Sequence, residues 1–408
     1  MSATAFLAAH CPPGVVALLR LFQKNDHGAY PVGGCVRDAL MHTLPHDWDV
    51  AVTCPPDVTL SLCEAAGYRV IPTGLAHGTV TVLCGGMPVE CTTCRADSTY
   101  SDGRHPDAVA FTNRLEDDLS RRDFTVNAMA ARLGNGPDVS FDIVDLFGGS
   151  ADLEARLIRC VGDPVTRFEE DALRILRAVR FAVKLGFEIE PNTRQALITT
   201  APRLDLISRE RVRAELEGIL TSADPARGIR LLDELGLYPY VFPDCTAPAD
   251  PDRLNRLPCD LSLRLAATLS HLPRKQADAA LSSLRLSNRT SGEVKAYLDP
   301  LPCEAVATPL CARRIRQAFG TLAANRIRLE EDGEASEQLI ALIKESEQNG
   351  DCVSIRELAV NGHDLVSAGI AGGAEVGVTL SRLLEYVIQH PEQNQADILM
   401  SHAREEQP

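Results

Sequence analysis

The sequence has no apolar run approaching the ~18 residues of a membrane-spanning helix, and no basic stretch leading into an apolar segment near its start. Neither a membrane span nor a signal peptide is expected, and the chain is placed in the cytoplasm with no membrane partner. It also lacks an excess of basic charge: 41 Lys and Arg stand against 56 Asp and Glu, a net charge of −15. That argues against a non-specific basic nucleic-acid binder but leaves room for a local basic face. Paired cysteines are missing too. The thirteen cysteines are odd in number and scattered, and the one close pair, Cys91-Thr-Thr-Cys94, has neither a second pair nor histidines at ligand spacing. Reduced, mostly buried thiols of structural use are expected. What remains is ordinary: 408 residues, 45% hydrophobic and 24% charged, a soluble globular chain of about two to four domains.

The chain is organised around Tyr30-Pro-Val-Gly-Gly-Cys-Val-Arg-Asp-Ala-Leu-Met41 and the His46-Asp-Trp-Asp-Val-Ala-Val52 that follows it. A short apolar approach ends in Gly33-Gly34, and Val36 to Met41 has helical spacing, so the glycines mark a strand turning into a helix N-terminus. Such a turn accepts anions, because glycine lets the backbone approach phosphate oxygens while free amides and the helix dipole face them. Asp47 and Asp49 lie two apart in a strand-like run, so both carboxylates project from one face. Two carboxylates that close either share a proton or hold a cation, and oxygen ligands of this type suit Mg²⁺. Taken alone, Asp-x-Asp beside a glycine pair is equally compatible with a solvated strand.

Down the chain, Val15 to Phe22 and Val58 to Ala66 read as helices, while Tyr68 to Ile71, Gly78 to Leu83, Met87 to Thr93 and Phe141 to Leu146 read as strands. This is an α+β domain with a small mixed sheet, closing near residue 150. Glu90 is a third acid in the Met87 to Thr93 strand. Arg95 to Pro106 has no apolar periodicity and reads as a loop beside the site, which suggests a part in reorganising the pocket. In Leu115 to Met129, Arg121 and Arg122 suit phosphate and Asp123 or Asn127 a ribose hydroxyl. From residue 150 onward the pattern is helical.

The strongest of these helices is Arg167 to Val183. Its apolar side is Leu173, Leu176, Val179, Ala182 and Val183, and Asp171, Arg174, Arg177 and Arg180 recur every three residues beside it. Most such stripes are solvated and self-paired. An aspartate acceptor one turn before an arginine donor also matches the Watson–Crick edge of cytosine and much of that of adenine, while uracil and guanine would set a carbonyl against the aspartate.

Four stretches together resemble the class II tRNA nucleotidyltransferases (CCA-adding enzymes) and the closely similar bacterial poly(A) polymerases. They are Gly33-Gly-Cys-Val-Arg37-Asp38 with Asp47-Trp-Asp49, Arg121-Arg-Asp-Phe-Thr-Val-Asn-Ala128, Gly162-Asp-Pro with Arg167-Phe-Glu-Glu-Asp171-Ala-Leu-Arg174, and Ile207-Ser-Arg-Glu-Arg-Val-Arg-Ala-Glu-Leu216. The resemblance implies a nucleotidyltransferase that adds CCA to tRNA 3′ ends from CTP and ATP with Mg²⁺, tRNA being the partner; poly(A) addition or a partial CC- or A-adding activity is the alternative. It makes Asp47 and Asp49 metal ligands with Glu90 as third acid, Gly34 and Arg37 triphosphate contacts, and Arg121, Arg122 and Asp123 a ribose-binding motif. Asp171 and Arg174 become the base-selecting pair, with Arg177 and Arg180 nearby. The implied architecture is a head at 1–150, a helical neck at 151–222 and an all-helical body and tail at 223–408 that binds tRNA. Ile355 to Leu365 looks like the tail of shorter members, and Asn361-Gly362 reads as a turn before a helix. His363-Asp364 lacks the further histidines and aspartate of a phosphohydrolase site. Oligomeric state is left open.

Overall fold

The computed structural model describes residues 2–75, 78–97, 109–330 and 333–405, which form two compact units. The first runs from Met1 to Asp252 and takes in Ser283–Arg285; the second holds Arg253–Ser282 and Leu286–Pro408.

In the first unit, helices α1 (Ala3–His10) and α2 (Pro13–Lys24) precede strand β1 (Ala29–Val32). Then come α3 (Gly34–Leu40), β2 (Trp48–Val52), α4 (Pro56–Ala65), β3 (Arg69–Gly74), β4 (Thr79–Cys84) and β5 (Met87–Thr93). A ribbon of β6 (Arg95–Asp97) and β7 (Val109–Phe111) leads to α5 (Leu115–Ser120), β8 (Met129–Leu133) and β9 (Phe141–Asp145). The main sheet has the order β3-β4-β5-β2-β1-β8-β9 and is mixed, since β2 pairs with β5 in parallel and the other neighbours are antiparallel.

Alternation along β2 decides which way everything faces. Trp48, Val50 and Val52 join a core with Val80, Val82, Val89, Cys91 and Met129 against α1 to α4. Ala51 lies on the opposite face, in a smaller cluster with Val32, Cys94, Leu115 and Leu119. Asp49, of the same parity as Ala51, is thereby turned away from the helix-covered core. The strand β5 runs from Met87 to Thr93 as expected, and the buried Cys91 and Cys94 serve packing: burial pushes the Cys94 thiol up to about 12 and Cys91 well above its ordinary value. None of the thirteen cysteines forms a disulfide, and Cys259 is the exposed one.

Among the described residues no single helix is long and apolar enough to cross a membrane; α1 and α2 together have the length but meet at 99°. The helix α1 had no counterpart in the sequence reading, because its stretch ATAFLAAH is apolar nearly all round and gives little periodicity to read.

After β9 come α6 (Gly149–Ala155), β10 (Leu157–Ile158), α7 (Pro164–Glu170), α8 (Leu173–Leu185), β11 (Glu188–Ile189), α9 (Pro191–Thr200), α10 (Arg209–Leu220) and α11 (Pro225–Glu234). Two differences from the sequence expectation appear here. The region is not purely helical, because β10 and β11 form a short parallel pair. The expected continuous helix from Arg167 to Val183 is two helices, broken at Asp171-Ala172, where Asp171 has φ −144° and ψ 101°. The aspartate causes the break by capping: its Oδ1 accepts the Leu173 N–H at 3.1 Å, offering the backbone a partner other than the next helical carbonyl. On α8 the apolar side is as expected, with Leu173, Leu176, Val179, Ala182 and Val183 all buried.

Every regular element among the described residues of the second unit is a helix. One of its cores gathers Cys311, Ile315, Phe319, Ile327, Leu339 and Ile343, and another Leu365, Leu383, Val387, Ile388 and Leu399. Asn361 caps the helix Gly362–Ser367, with Asp364 answering back to the Asn361 N–H at 2.9 Å. This cap accounts for the His363-Asp364 pair.

Candidate active site

A cavity of about 760 Å³ in the first unit is lined by every candidate residue named from the sequence: Gly33, Gly34, Arg37, Asp47, Asp49, Glu90, Arg121, Arg122, Asp123, Asn127, Asp171, Arg174, Arg177 and Arg180. Asp38, His46, Thr92, Phe181, Lys184 and Arg211 join them. The site is a local basic region in an acidic chain, with eight Lys and Arg against six Asp and Glu on its walls.

One wall is the sheet face turned away from the helical core. Asp47 and Asp49 stand at the head of β2, and Glu90 is the register partner of Asp49 on the parallel strand β5. Among the described residues no arginine or lysine is ion-paired to these acids, and no three His, Cys, Asp or Glu side chains are already closed around one point. Asp49 is open to the cavity at its surface, yet the protein atoms packed around its carboxyl desolvate it and raise it above its ordinary value; Glu90 and then Asp47 add to this, while Arg122 opposes it. Open, uncompensated oxygen donors of this kind fit a hard divalent cation.

The glycine turn lies at the end of β1. Gly33 has φ +73°, a backbone conformation that requires glycine, and Nη1 of Arg122 lies 2.9 Å from where a Cβ would stand. Its N–H is occupied, donating to the Met129 carbonyl at 3.1 Å. An incoming anion therefore meets the amides that follow Gly33, not its own. Arg37 is buried; Nε and Nη2 donate to Asp38 Oδ1 at 2.9 and 2.6 Å, and Nη1 to Asn127 Oδ1 at 2.7 Å.

Arginines dominate another wall, and each is already engaged by a carboxylate. Arg121 and Arg122 share Asp118, Arg174 pairs with Glu170, Arg177 with Asp123, Arg180 with Glu215, and Arg211 with Asp171. Asp123 is buried and would be raised by that burial, but Arg177, donating from Nε and Nη2 at 2.8 and 2.6 Å, brings it below the usual carboxylate range. The Phe181 ring is flanked by three guanidiniums, with Arg180, Arg177 and Arg37 at 4.5, 5.3 and 5.6 Å from its centroid.

Asp171 and Arg174 both line the cavity, but not as neighbours on one helix. Asp171 stands in the joint between α7 and α8, with Oδ2 accepting from Arg211 Nη2 at 2.8 Å. Arg174 rides on α8 and also donates to the Arg121 carbonyl at 2.7 Å. The three-residue spacing brought them together by a capped turn instead of a helical face.

Three stretches of the chain match known families: residues 29–159 the Poly A polymerase head domain, residues 186–247 the probable RNA and SrmB-binding site of polymerase A, and residues 263–403 the putative tRNA nucleotidyltransferase domain 2. The CCA-adding enzyme of Limosilactobacillus reuteri is 34% identical over 402 residues, covering 95% of each chain. This chain belongs to the CCA-adding enzyme family. A second member, from Bacillus licheniformis, is 36% identical over 365 residues, covering 86% of this chain and 87% of its own. The crystal structure of the Bacillus stearothermophilus CCA-adding enzyme in complex with CTP superposes with a TM-score of 0.80 at 28% identity, over 97% of this chain and 98% of that one.

Against that family background, the cavity residues and braces given no role from the sequence are Asp118, Glu170, Glu215 and Arg211. Asp118 was visible as the acid three and four positions before Arg121 and Arg122. Glu215 and Arg211 lie 35 and 40 residues from their partners Arg180 and Asp171, with no local signal linking them. The loop expected at Arg95 to Pro106 falls mostly outside the described residues, of which only β6, at its start, is seen.

Proposed function

We propose that this chain adds C, C and A to the 3′ end of tRNA from CTP and ATP, without a nucleic-acid template. The observation that carries this reading is that three open acids and a set of arginines line one and the same cavity. The tRNA 3′ hydroxyl attacks the α-phosphorus, a phosphodiester forms, and pyrophosphate leaves. Asp47 and Asp49, with Glu90 as third acid, would hold Mg²⁺, which when bound lowers the pKa of the attacking hydroxyl and offsets charge on the phosphates.

The remaining roles follow from position. The amides after Gly33, together with Arg37, Arg121 and Arg122, are assigned to the triphosphate, and Asp123 and Asn127 to the ribose. Asp171 supplies an acceptor and Arg174 a donor to the base edge, favouring the amino-bearing bases C and A. Arg177 and Arg180 continue that wall along α8. A head at 1–150, a neck at 151–222 and a body and tail at 223–408 that grips the tRNA remain the division we propose for an enzyme acting in the cytoplasm.

The test is a purified enzyme, a tRNA lacking its 3′-terminal CCA, and labelled CTP or ATP, with product length read on a gel. Three added nucleotides, C from CTP followed by one A from ATP, support the reading. A long ladder from ATP alone would instead identify a poly(A) polymerase, the activity for which two of the matched family regions are named.

A further inference from the structure

We infer that Asp118 is a positioning residue for nucleotide binding, fixing the direction of Arg121 and Arg122 from behind the cavity wall. Asp118 is 1% exposed and is not among the residues lining the cavity. It sits on α5, whose Leu115 and Leu119 are locked into the cluster beneath the sheet with Val32 and Ala51. Oδ1 accepts from Arg121 Nε at 3.0 Å and Nη2 at 2.5 Å; Oδ2 accepts from Arg122 Nε at 3.3 Å and Nη2 at 3.1 Å.

The geometry leaves both guanidiniums gripped by the same edge. Each presents its Nε and Nη2 edge inward to the one carboxylate, so the Nη1 ends are the ones turned elsewhere. That of Arg122 reaches the Asn127 carbonyl at 3.4 Å and lies against the Gly33 turn. The tip of Arg122 thus lies at the glycine turn, on the cavity wall to which the triphosphate is assigned. One negative charge shared by two positive ones leaves the trio with a net positive charge toward the cavity. Without the carboxylate, two adjacent guanidiniums would repel each other and lose their shared anchor.

This inference rests on the proposed nucleotidyl transfer, and its test separates the two. Incorporation of CTP and ATP is measured by the wild type and by Asp118→Asn, which keeps the volume and removes the charge, with thermal unfolding followed in parallel. The expected result is a KM for both nucleotides raised about tenfold, with a smaller change in kcat and in the KM for tRNA. A carboxylate that acts through the arginines should also add little in a background of Arg121→Gln and Arg122→Gln. Losses that multiply in that background, a nucleotide KM that stays put, or an equal rise in the KM for tRNA would overturn the inference. An inactive wild type would overturn the proposed function instead. If Asp118→Asn does not fold, Arg121→Lys with Arg122→Lys keeps both charges but removes the fork that the carboxylate grips, and the same split in KM is required of it; an unchanged nucleotide KM there overturns the inference.

Discussion

The two walls of the cavity treat charge in opposite ways. On the sheet side Asp47, Asp49 and Glu90 stand open, with no cationic side chain bridging them among the described residues, and Asp49 is harder to ionise than an ordinary aspartate. On the helix side every arginine has a carboxylate behind it, and Asp118 and Asp123 are easier to ionise than usual. The difference teaches what each wall is prepared for. Under the proposed function, the open acids would take up a cation that the protein does not supply. Under the same proposal, braced arginines would keep their direction whether or not an anion is bound, so that little of the binding free energy would go into ordering them.

The comparison is broken most severely on the acid wall. Asp47→Asn or Asp49→Asn should lower incorporation by about a thousandfold or more, since each removes a charged ligand with almost no change in volume. The fold should survive, because neither side chain holds a structural ion pair. Near-normal rates at saturating Mg²⁺ would sink the assignment.

Breaking the arginine wall should cost stability instead. Arg177→Met leaves Asp123 buried without its main partner, and a loss of up to about 3 kcal/mol is expected in urea unfolding. The pH dependence follows in sign. Asp123 has a lowered pKa in the folded state, so the stability it contributes is present above the ordinary carboxylate range and is lost as pH falls through that range toward the folded value. In Arg177→Met that acid limb should flatten; a wild-type acid limb would mean that the pair is not what holds Asp123 ionised.

A smaller effect sharpens the comparison at Asp171, an acid placed on the arginine side. Asp171→Asn should reduce the preference for CTP and ATP over UTP and GTP by roughly ten- to a hundredfold, the worth of one base contact at ~1 to 3 kcal/mol. Arg211→Gln should act in the same direction by freeing the Asp171 carboxylate. Single-nucleotide incorporation with all four triphosphates measures this, and a uniform loss of rate with unchanged preference would make the residue structural.

The smallest expected effect is thermal. Asp49 has a raised pKa in the folded state, so its contribution becomes unfavourable as pH rises from the ordinary aspartate value through the raised one. Asp49→Asn should therefore melt slightly higher than the wild type at neutral pH without divalent metal, and added metal should stabilise the wild type more than the variant. A lower Tm for the variant under metal-free conditions would show that the acids do not strain each other.

Local patterns in the sequence were enough for much of this. The Gly33-Gly34 turn, the Asp47 and Asp49 face, the β5 strand and the buried side of α8 each depend on spacing within a few residues. The mixed sheet was expected, but its order was not, because placing β5 beside β2 in parallel depends on pairing across some forty residues. The break at Asp171 escaped notice because the apolar period carries on across it, while the capping bond that interrupts the helix is a property of one side chain. The braces behind the arginines were invisible for the most part, since an arginine's partner is chosen in space: Arg177 finds Asp123 from 54 residues away.

The distribution of thiols gives an experimental handle that needs no mutagenesis. Twelve cysteines are wholly or partly sheltered, several with thiols pushed up to about 12, and Cys259 alone is exposed, within the second unit. A maleimide dye added briefly near neutral pH should therefore report from that unit first and leave the cavity chemistry untouched. The natural chain would then carry a single optical reporter on the part of the enzyme assigned to grip RNA, ready for fluorescence titration against tRNA.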